Sequence, residues 1–296
     1  MHKLVMTACS ILLLTACSTP PAVSQPPSTD QKSADSSSPV SQDQEGGRQS
    51  EPDAEPARFY GPPADIKPSP VDETPSGNYI INPTNYTIVN QDLPEDKIVL
   101  LTFDDGPTGE ATMDLLDVLD RHQAKSIWFV NGLQLATKKE DGSFTIKEEK
   151  AALLKEIHKR GHLIGNHTWW HENLRKLPPE RQQEEILSTS AVIEQIIGEK
   201  PKYFRPPFGA YTDVSKTVCA QQGMQSMNWS VGSLDWDAAV YKHPGQITQQ
   251  VLSNVHRGGN ILFHDRTWTA QELDNVLSGL TKAGYRFVIP TDDKPS

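Results

Sequence analysis

Apolar residues along this chain alternate between two spacings. Short apolar runs recur at Lys97-Ile98-Val99-Leu100-Leu101, Ser126-Ile127-Trp128-Phe129-Val130, residues 162–166, Lys202-Tyr203-Phe204, residues 225–231, Asn260-Ile261-Leu262-Phe263-His264 and residues 285–289. Turn-forming or polar residues bound them, as at Gly106-Pro107, so each reads as a strand. The stretches between carry helical spacing, for instance Met113, Leu116 and Leu119 within 110–122. Further helices are expected at 148–159, 178–197, 213–222, 245–256 and 270–282. About seven strands alternating with helices predict an α/β fold, a distorted (β/α) barrel of parallel strands. Residues 138–147 break the alternation and predict a surface insertion. The stretch 77–93 predicts a short β-element that leads into a domain at 94–296.

The chain before residue 77 is of another kind. Residues 1–16 hold Lys3, the apolar run Ile11-Leu12-Leu13-Leu14 and small residues ahead of Cys17. That run is too brief to span a membrane and reads as an export signal. Leu14-Thr15-Ala16-Cys17 resembles the lipobox of bacterial lipoproteins, which implies acylation of Cys17 and a membrane anchor. An ordinary cleaved signal is the alternative. Residues 17–76 are rich in Ser, Pro, Gln, Asp and Glu and cannot bury enough apolar surface to offset ordering entropy. They are expected to form a disordered tether. Its ends would lie about 40 Å apart as a flexible coil and about 180 Å apart when extended.

With Cys9 in the signal and Cys17 at its end, the third cysteine, Cys219, has no disulfide partner and reads as a small buried apolar residue. The net charge of −10, with no cluster of Lys and Arg, argues against nucleic acid as a partner. It suits a neutral or amino-bearing glycan better than an anionic polymer.

Reactive residues fall repeatedly at strand ends. Asp104 and Asp105 follow the first strand of the domain, His167 and His171 the third, and Arg205 the fourth. Asp235-Trp236 lie past the fifth, and His264-Asp265 end the sixth. In a parallel barrel these ends converge on one face. A carboxylate with two histidines is a three-ligand metal set with a position left open. Taken singly, Asp104-Asp105-Gly106-Pro107 is equally a solvated turn, and His-x-x-x-His is more often packing than a metal site. Trp169-Trp170 reads as core, although Trp170 and Trp236 also suit sugar stacking.

The segments Thr102-Phe103-Asp104-Asp105-Gly106-Pro107, His167-Thr168-Trp169-Trp170-His171, Arg205-Pro206-Pro207-Phe208-Gly209, Leu234-Asp235-Trp236 and Leu262-Phe263-His264, in that order, resemble the motifs of the NodB-homology polysaccharide deacetylases (carbohydrate esterase family 4). The resemblance implies hydrolysis of N-acetyl groups from an aminosugar polymer. It implies that Asp105, His167 and His171 hold one divalent metal, commonly zinc, with cobalt and nickel as alternatives. Asp104 is then the base and His264 the acid. Arg205 orients Asp104, Asp235 orients or tunes His264, and the Phe208 backbone N–H supports the oxyanion. Trp236 and Leu262 wall a pocket for the acetyl methyl. The expected polymer is peptidoglycan or a chitin-like glycan, and the expected protein is a monomeric lipoprotein facing the cell wall or periplasm. One departure stands out: family members often carry an acid three residues before the Asp-Trp pair, where this chain has Gly232. An O-acetyl esterase, a non-catalytic glycan-binding lipoprotein and a metal-capturing lipoprotein are the competing readings.

Overall fold

A computed structural model of the chain describes residues 77–291. The expected signal, Cys17 and the whole of the expected tether lie outside the described residues, as do residues 292–296. The first elements are β1 (Tyr79–Ile81) and β2 (Ile88–Asn90), an antiparallel hairpin. The domain proper runs β3 (Ile98–Gly106), α1 (Glu110–Arg121), β4 (Ser126–Val130) and α2 (Gly132–Leu135). The antiparallel pair β5 (Ala136–Lys138) and β6 (Phe144–Ile146) follows, then α3 (Glu148–Lys159), β7 (Leu163–Asn166), α4 (Pro179–Ile197), β8 (Tyr203–Phe204) and α5 (Asp213–Gln221). The chain continues through β9 (Gln225–Ser226), β10 (Val231–Gly232), α6 (Ala238–Tyr241), α7 (Gln246–Asn254), β11 (Gly259–His264), α8 (Thr267–Lys282) and β12 (Arg286–Phe287).

The main sheet is parallel throughout, in the order β10-β11-β3-β4-β7-β8-β9. Strand β12 pairs with the start of β3, at Ile98 and Val99. The parallel curled fold expected from the strand–helix alternation is thus present, with one correction. Residues 225–231 are not one strand: β9 pairs with β8, β10 pairs with β11, and these are the two ends of the sheet. Four residues, 227–230, carry the chain across, and consecutive Cα atoms lie about 3.8 Å apart. The sheet therefore curls until its edges nearly meet. The crossing segment leaves the ladder because its polar groups are held elsewhere. The Asn228 carbonyl accepts from Arg205 Nη2 at 3.0 Å and from Asn260 Nδ2 at 2.9 Å.

Both faces of the central strands are covered, which is why they read as unbroken apolar runs. On one face Val99, Leu101 and Phe103 pack under the helices, with Phe103 stacked between Trp128 and Phe263. On the other, Ile98 and Leu100 meet Tyr79, Ile81 and Ile88 of the first hairpin. That hairpin closes the N-terminal ends of the strands, where the Ile88 N–H reaches the Gly258 carbonyl at 2.9 Å. The opposite ends stay open for chemistry. Among the described residues no helix is long and apolar enough to cross a membrane.

Candidate active site

Neighbouring residues of a regular strand point to opposite faces. Asp104 and Asp105 escape this rule because the β3–β4 register slips between Asp104 and Gly106, leaving Asp105 as the extra residue of a bulge with φ 71°. The bulge re-aims the second carboxylate toward the same side as the first. Next in the chain, Gly106 is required by crowding: a Cβ there would stand 2.7 Å from Asp265 Oδ2. The buried Asp265 carboxylate also accepts from the Thr108 N–H at 2.9 Å and from the Thr112 hydroxyl at 2.6 Å, so it ties down the loop that follows Asp105.

The two histidines come from the turn after β7. Asn131 Nδ2 donates to the His167 carbonyl at 2.7 Å, and Asn166 Oδ1 accepts from the Thr168 N–H at 2.8 Å. Glu185, buried on α4, accepts from the backbone N–H groups of Trp169 and Trp170 at 3.0 and 2.7 Å. Trp169 is buried against Gly132 and stacks on Phe144 of the β5–β6 hairpin, so the insertion at 138–147 braces the histidine turn. Among the described residues, seven non-glycine residues have positive φ, and five of them (Asp105, Thr168, His171, Phe208 and Leu234) lie at this end of the sheet. Such conformations persist where the surroundings over-determine them, and they concentrate at functional sites.

His167 Nδ1 donates to the Arg205 carbonyl at 2.7 Å, which leaves Nε2 with a free lone pair. Asp105 Oδ1 lies 3.8 Å from His167 Nε2 and 3.5 Å from His171 Nε2, and the three ligand atoms fall within 4.8 Å of one another. Ligands bound about 2.0–2.1 Å from one tetrahedral ion sit roughly 3.4 Å apart, so the cluster fits a divalent metal. Burial pushes the His171 pKa down and the neighbouring His167 reinforces this, which favours the neutral imidazole that a metal needs. Burial alone would push Asp105 up, but the surrounding histidines and Arg266 leave it lowered and ionised.

Two further pairs flank the cluster. The guanidinium of Arg205 is fully buried over the Phe129 ring and donates from Nη1 to Asp104 Oδ1 at 2.7 Å and to Thr102 Oγ1 at 2.9 Å. Asp104 Oδ2 points toward His167, 3.5 Å from Nε2. On the adjacent strand β11, His264 is in register with Asp104. Its Nδ1 lies 2.7 Å from Asp235 Oδ1. Asp235 Oδ2 accepts from the His264 N–H and the Thr269 hydroxyl, both at 2.7 Å. Burial lowers the His264 pKa, but the hydrogen bond and charge of Asp235, with Asp104 and Asp105 behind, outweigh it and leave the imidazole raised.

These groups open into a cavity of about 530 Å³. Leu262 and Trp236 line it, and Trp236 meets the His264 ring edge-on at 5.4 Å. Phe208 is 66% exposed at its rim, with φ 58°. Its backbone N–H has no acceptor among the described residues. Gly232 lies under Trp236: a Cβ would reach the ring at 3.0 Å. Trp170 is exposed and does not line the cavity. Trp229, Tyr241, Trp268 and Arg266 do line it, and sequence reasoning had assigned them nothing.

The sequence matches the polysaccharide deacetylase family over residues 91–227. A peptidoglycan-N-acetylglucosamine deacetylase of Bacillus cereus is 32% identical over 217 residues, which cover 70% of this chain and 92% of that protein. The chain belongs to the polysaccharide deacetylase family. The peptidoglycan-N-acetylglucosamine deacetylase PgdA of Listeria monocytogenes is 34% identical over 194 residues, 65% of this chain but only 38% of that longer relative. Among solved structures, peptidoglycan deacetylase PdaC of Bacillus subtilis superposes with a TM-score of 0.56 at 30% identity, covering 66% of this chain and 88% of that one. Divalent-metal dependence is general in the family, in keeping with the Asp105, His167 and His171 cluster.

Proposed function

We propose that this family member is a metal-dependent N-deacetylase that removes acetyl groups from an N-acetylglucosamine-containing glycan, peptidoglycan foremost and chitin oligomers second, releasing acetate. The observation that carries the reading is the pairing across β3 and β11. An arginine-held carboxylate, Asp104, and an aspartate-held imidazole, His264, stand in register beside the metal-ligand cluster. A protein that only bound glycan, or only captured metal, would have no use for that pairing.

Asp105, His167 and His171 would hold the metal, which we take to be zinc. Bound there, it supplies Lewis acidity toward the amide carbonyl and a nucleophilic water near neutral pH. Asp104 takes the proton from the attacking water as its oxygen bonds to the acetyl carbon. Arg205 keeps Asp104 aimed, because its bond to Oδ1 leaves Oδ2 facing the cluster. The free N–H of Phe208 donates to the carbonyl oxygen as negative charge builds there, a contribution commonly worth about 10²–10³ in rate. The carbon–nitrogen bond then breaks, and His264 hands a proton to the departing amine, which cannot leave as an anion. Asp235 holds His264 by Nδ1, so that Nε2 presents this proton. Leu262 and Trp236 enclose the methyl group.

Export with anchoring through Cys17 on the 17–76 tether would put the domain within reach of wall glycan. The sequence signal before Cys17 and the wall substrates in the names of the relatives support this placement. Acetate release from chitooligosaccharides, purified peptidoglycan and acetylated xylan tests the substrate assignment. Release from xylan alone would turn it to an ester-cleaving enzyme.

A further inference from the structure

We infer that Arg266 is a positioning residue for the metal ligand Asp105. The inference rests on the metal-site reading above. Where β11 ends, three consecutive residues each engage a different part of the site. His264 takes Asp235, Asp265 ties the loop after Asp105 through Thr108 and Thr112, and Arg266 reaches Asp105 itself. Arg266 Nη2 donates to Asp105 Oδ2 at 2.9 Å, while Oδ1 of the same carboxylate faces the two imidazoles. The arrangement repeats what Arg205 does for Asp104: one oxygen is held by a guanidinium and the other turned to the cluster. Arg266 differs in being half-buried at the cavity wall, and the side chain leaves the backbone at the N-cap of α8, a rigid origin.

The consequence is chemical. An Asp carboxylate beside a cation can bind through one oxygen or chelate through both. With Oδ2 occupied by Arg266, Asp105 presents Oδ1 alone, which keeps the coordination sphere small and leaves room for water and substrate. The bulge needs this help. Asp105 sits at positive φ on an extra residue with no strand partner, so the ladder does not hold its side chain. The positive charge of Arg266 opposes that of the metal, but the group is partly solvated, where charges several ångströms apart interact weakly. Orientation therefore dominates. Hydrogen-bond partners of metal ligands typically contribute about 10–100-fold in metal affinity.

The test compares wild type, Arg266→Met and Arg266→Lys as full chains, each stripped of metal and titrated with Zn²⁺ against a chromogenic chelator. The Co²⁺-loaded forms are then compared by visible absorption. Arg266→Met is expected to weaken Zn²⁺ binding about 10–100-fold and to reduce the intensity of the Co²⁺ bands, as a second carboxylate oxygen raises the coordination number. Arg266→Lys, which keeps a donor without the planar fork, should recover part of both. Thermal melting of the metal-free forms checks that the substitution leaves the fold intact. Zn²⁺ affinity within about twofold of wild type and an unchanged Co²⁺ spectrum in Arg266→Met would overturn this inference and leave the metal-site reading standing. Absence of Zn²⁺ binding by the wild type would overturn both.

Discussion

Asp235→Asn offers a severe test of the His264 assignment, because it changes one atom in a place where all hydrogen-bond partners are known. In the wild type, Oδ1 accepts from His264 Nδ1, and Oδ2 accepts from the His264 N–H and the Thr269 hydroxyl, each at 2.7 Å. Asparagine has one acceptor oxygen. Two donors hold it on the backbone side, so the amide nitrogen turns toward Nδ1. A protonated imidazole, with hydrogen on both nitrogens, then faces a donor. Burial still lowers the His264 pKa, and the hydrogen bond and charge of Asp235 no longer oppose it, which leaves only Asp104 and Asp105 to do so. The pKa of His264 therefore falls from its raised position. The acid works only when protonated. A raised pKa keeps kcat high to higher pH, and the substitution moves the falling alkaline limb to lower pH. General acid–base catalysis contributes about 10²–10⁴-fold, so kcat near pH 7 should drop within that range. Zinc content should be unchanged, since Asp235 does not touch the Asp105, His167 and His171 cluster. The assay is kcat against pH for wild type and variant with a fixed N-acetylated oligosaccharide. A variant whose kcat stays within about threefold, or whose alkaline limb does not move, would refute the acid role of His264.

Two other consequences follow from the fold. His162 is buried behind β4, and burial, aided by Lys125, pushes its pKa down to about 3. The unfolded chain takes up that proton near pH 6.5 and the folded one does not, so stability is unaffected above that pH and falls by about 1.4 kcal/mol per pH unit below it. Urea midpoints at pH 7 and pH 5 should therefore differ by the equivalent of about 2 kcal/mol, and His162→Gln should shrink the difference. Gly132→Ala would drive a methyl group to 2.2 Å from the Trp169 ring. Overpacking of that kind costs about 1–3 kcal/mol. It should lower the thermal midpoint and, through the histidine turn that Trp169 braces, also weaken Zn²⁺ binding.

Much of this was legible in the chain. The apolar runs place β4, β7 and β11, and the start of β3, to within a residue, because strands buried on both faces need continuous apolar sequence. The five motifs place the reactive residues at the strand ends. The rest needed geometry. That Asp104 and Asp105 share a side depends on a left-handed residue in a bulge, and period-2 reasoning predicts the opposite. The stretch 225–231 has strand-like composition, yet Asn228 is drawn off by Arg205 and Asn260, residues distant in sequence. Glu185 looks like an ordinary helix acid until the turn it supports is seen. Arg266 carried a faint signal, a cation just after a motif at a strand end. Nothing in its spacing named Asp105 as its partner.

The most direct measurement is acetate release from N-acetylglucosamine oligomers and purified peptidoglycan by the zinc-loaded chain, with Asp104→Asn beside it. The account predicts steady release by the wild type. It predicts loss of about 10²-fold or more in the variant, with zinc still bound, because Asp104 is assigned to the proton and not to the metal. Release that survives Asp104→Asn, or a zinc-loaded wild type that releases none from either glycan, would contradict it.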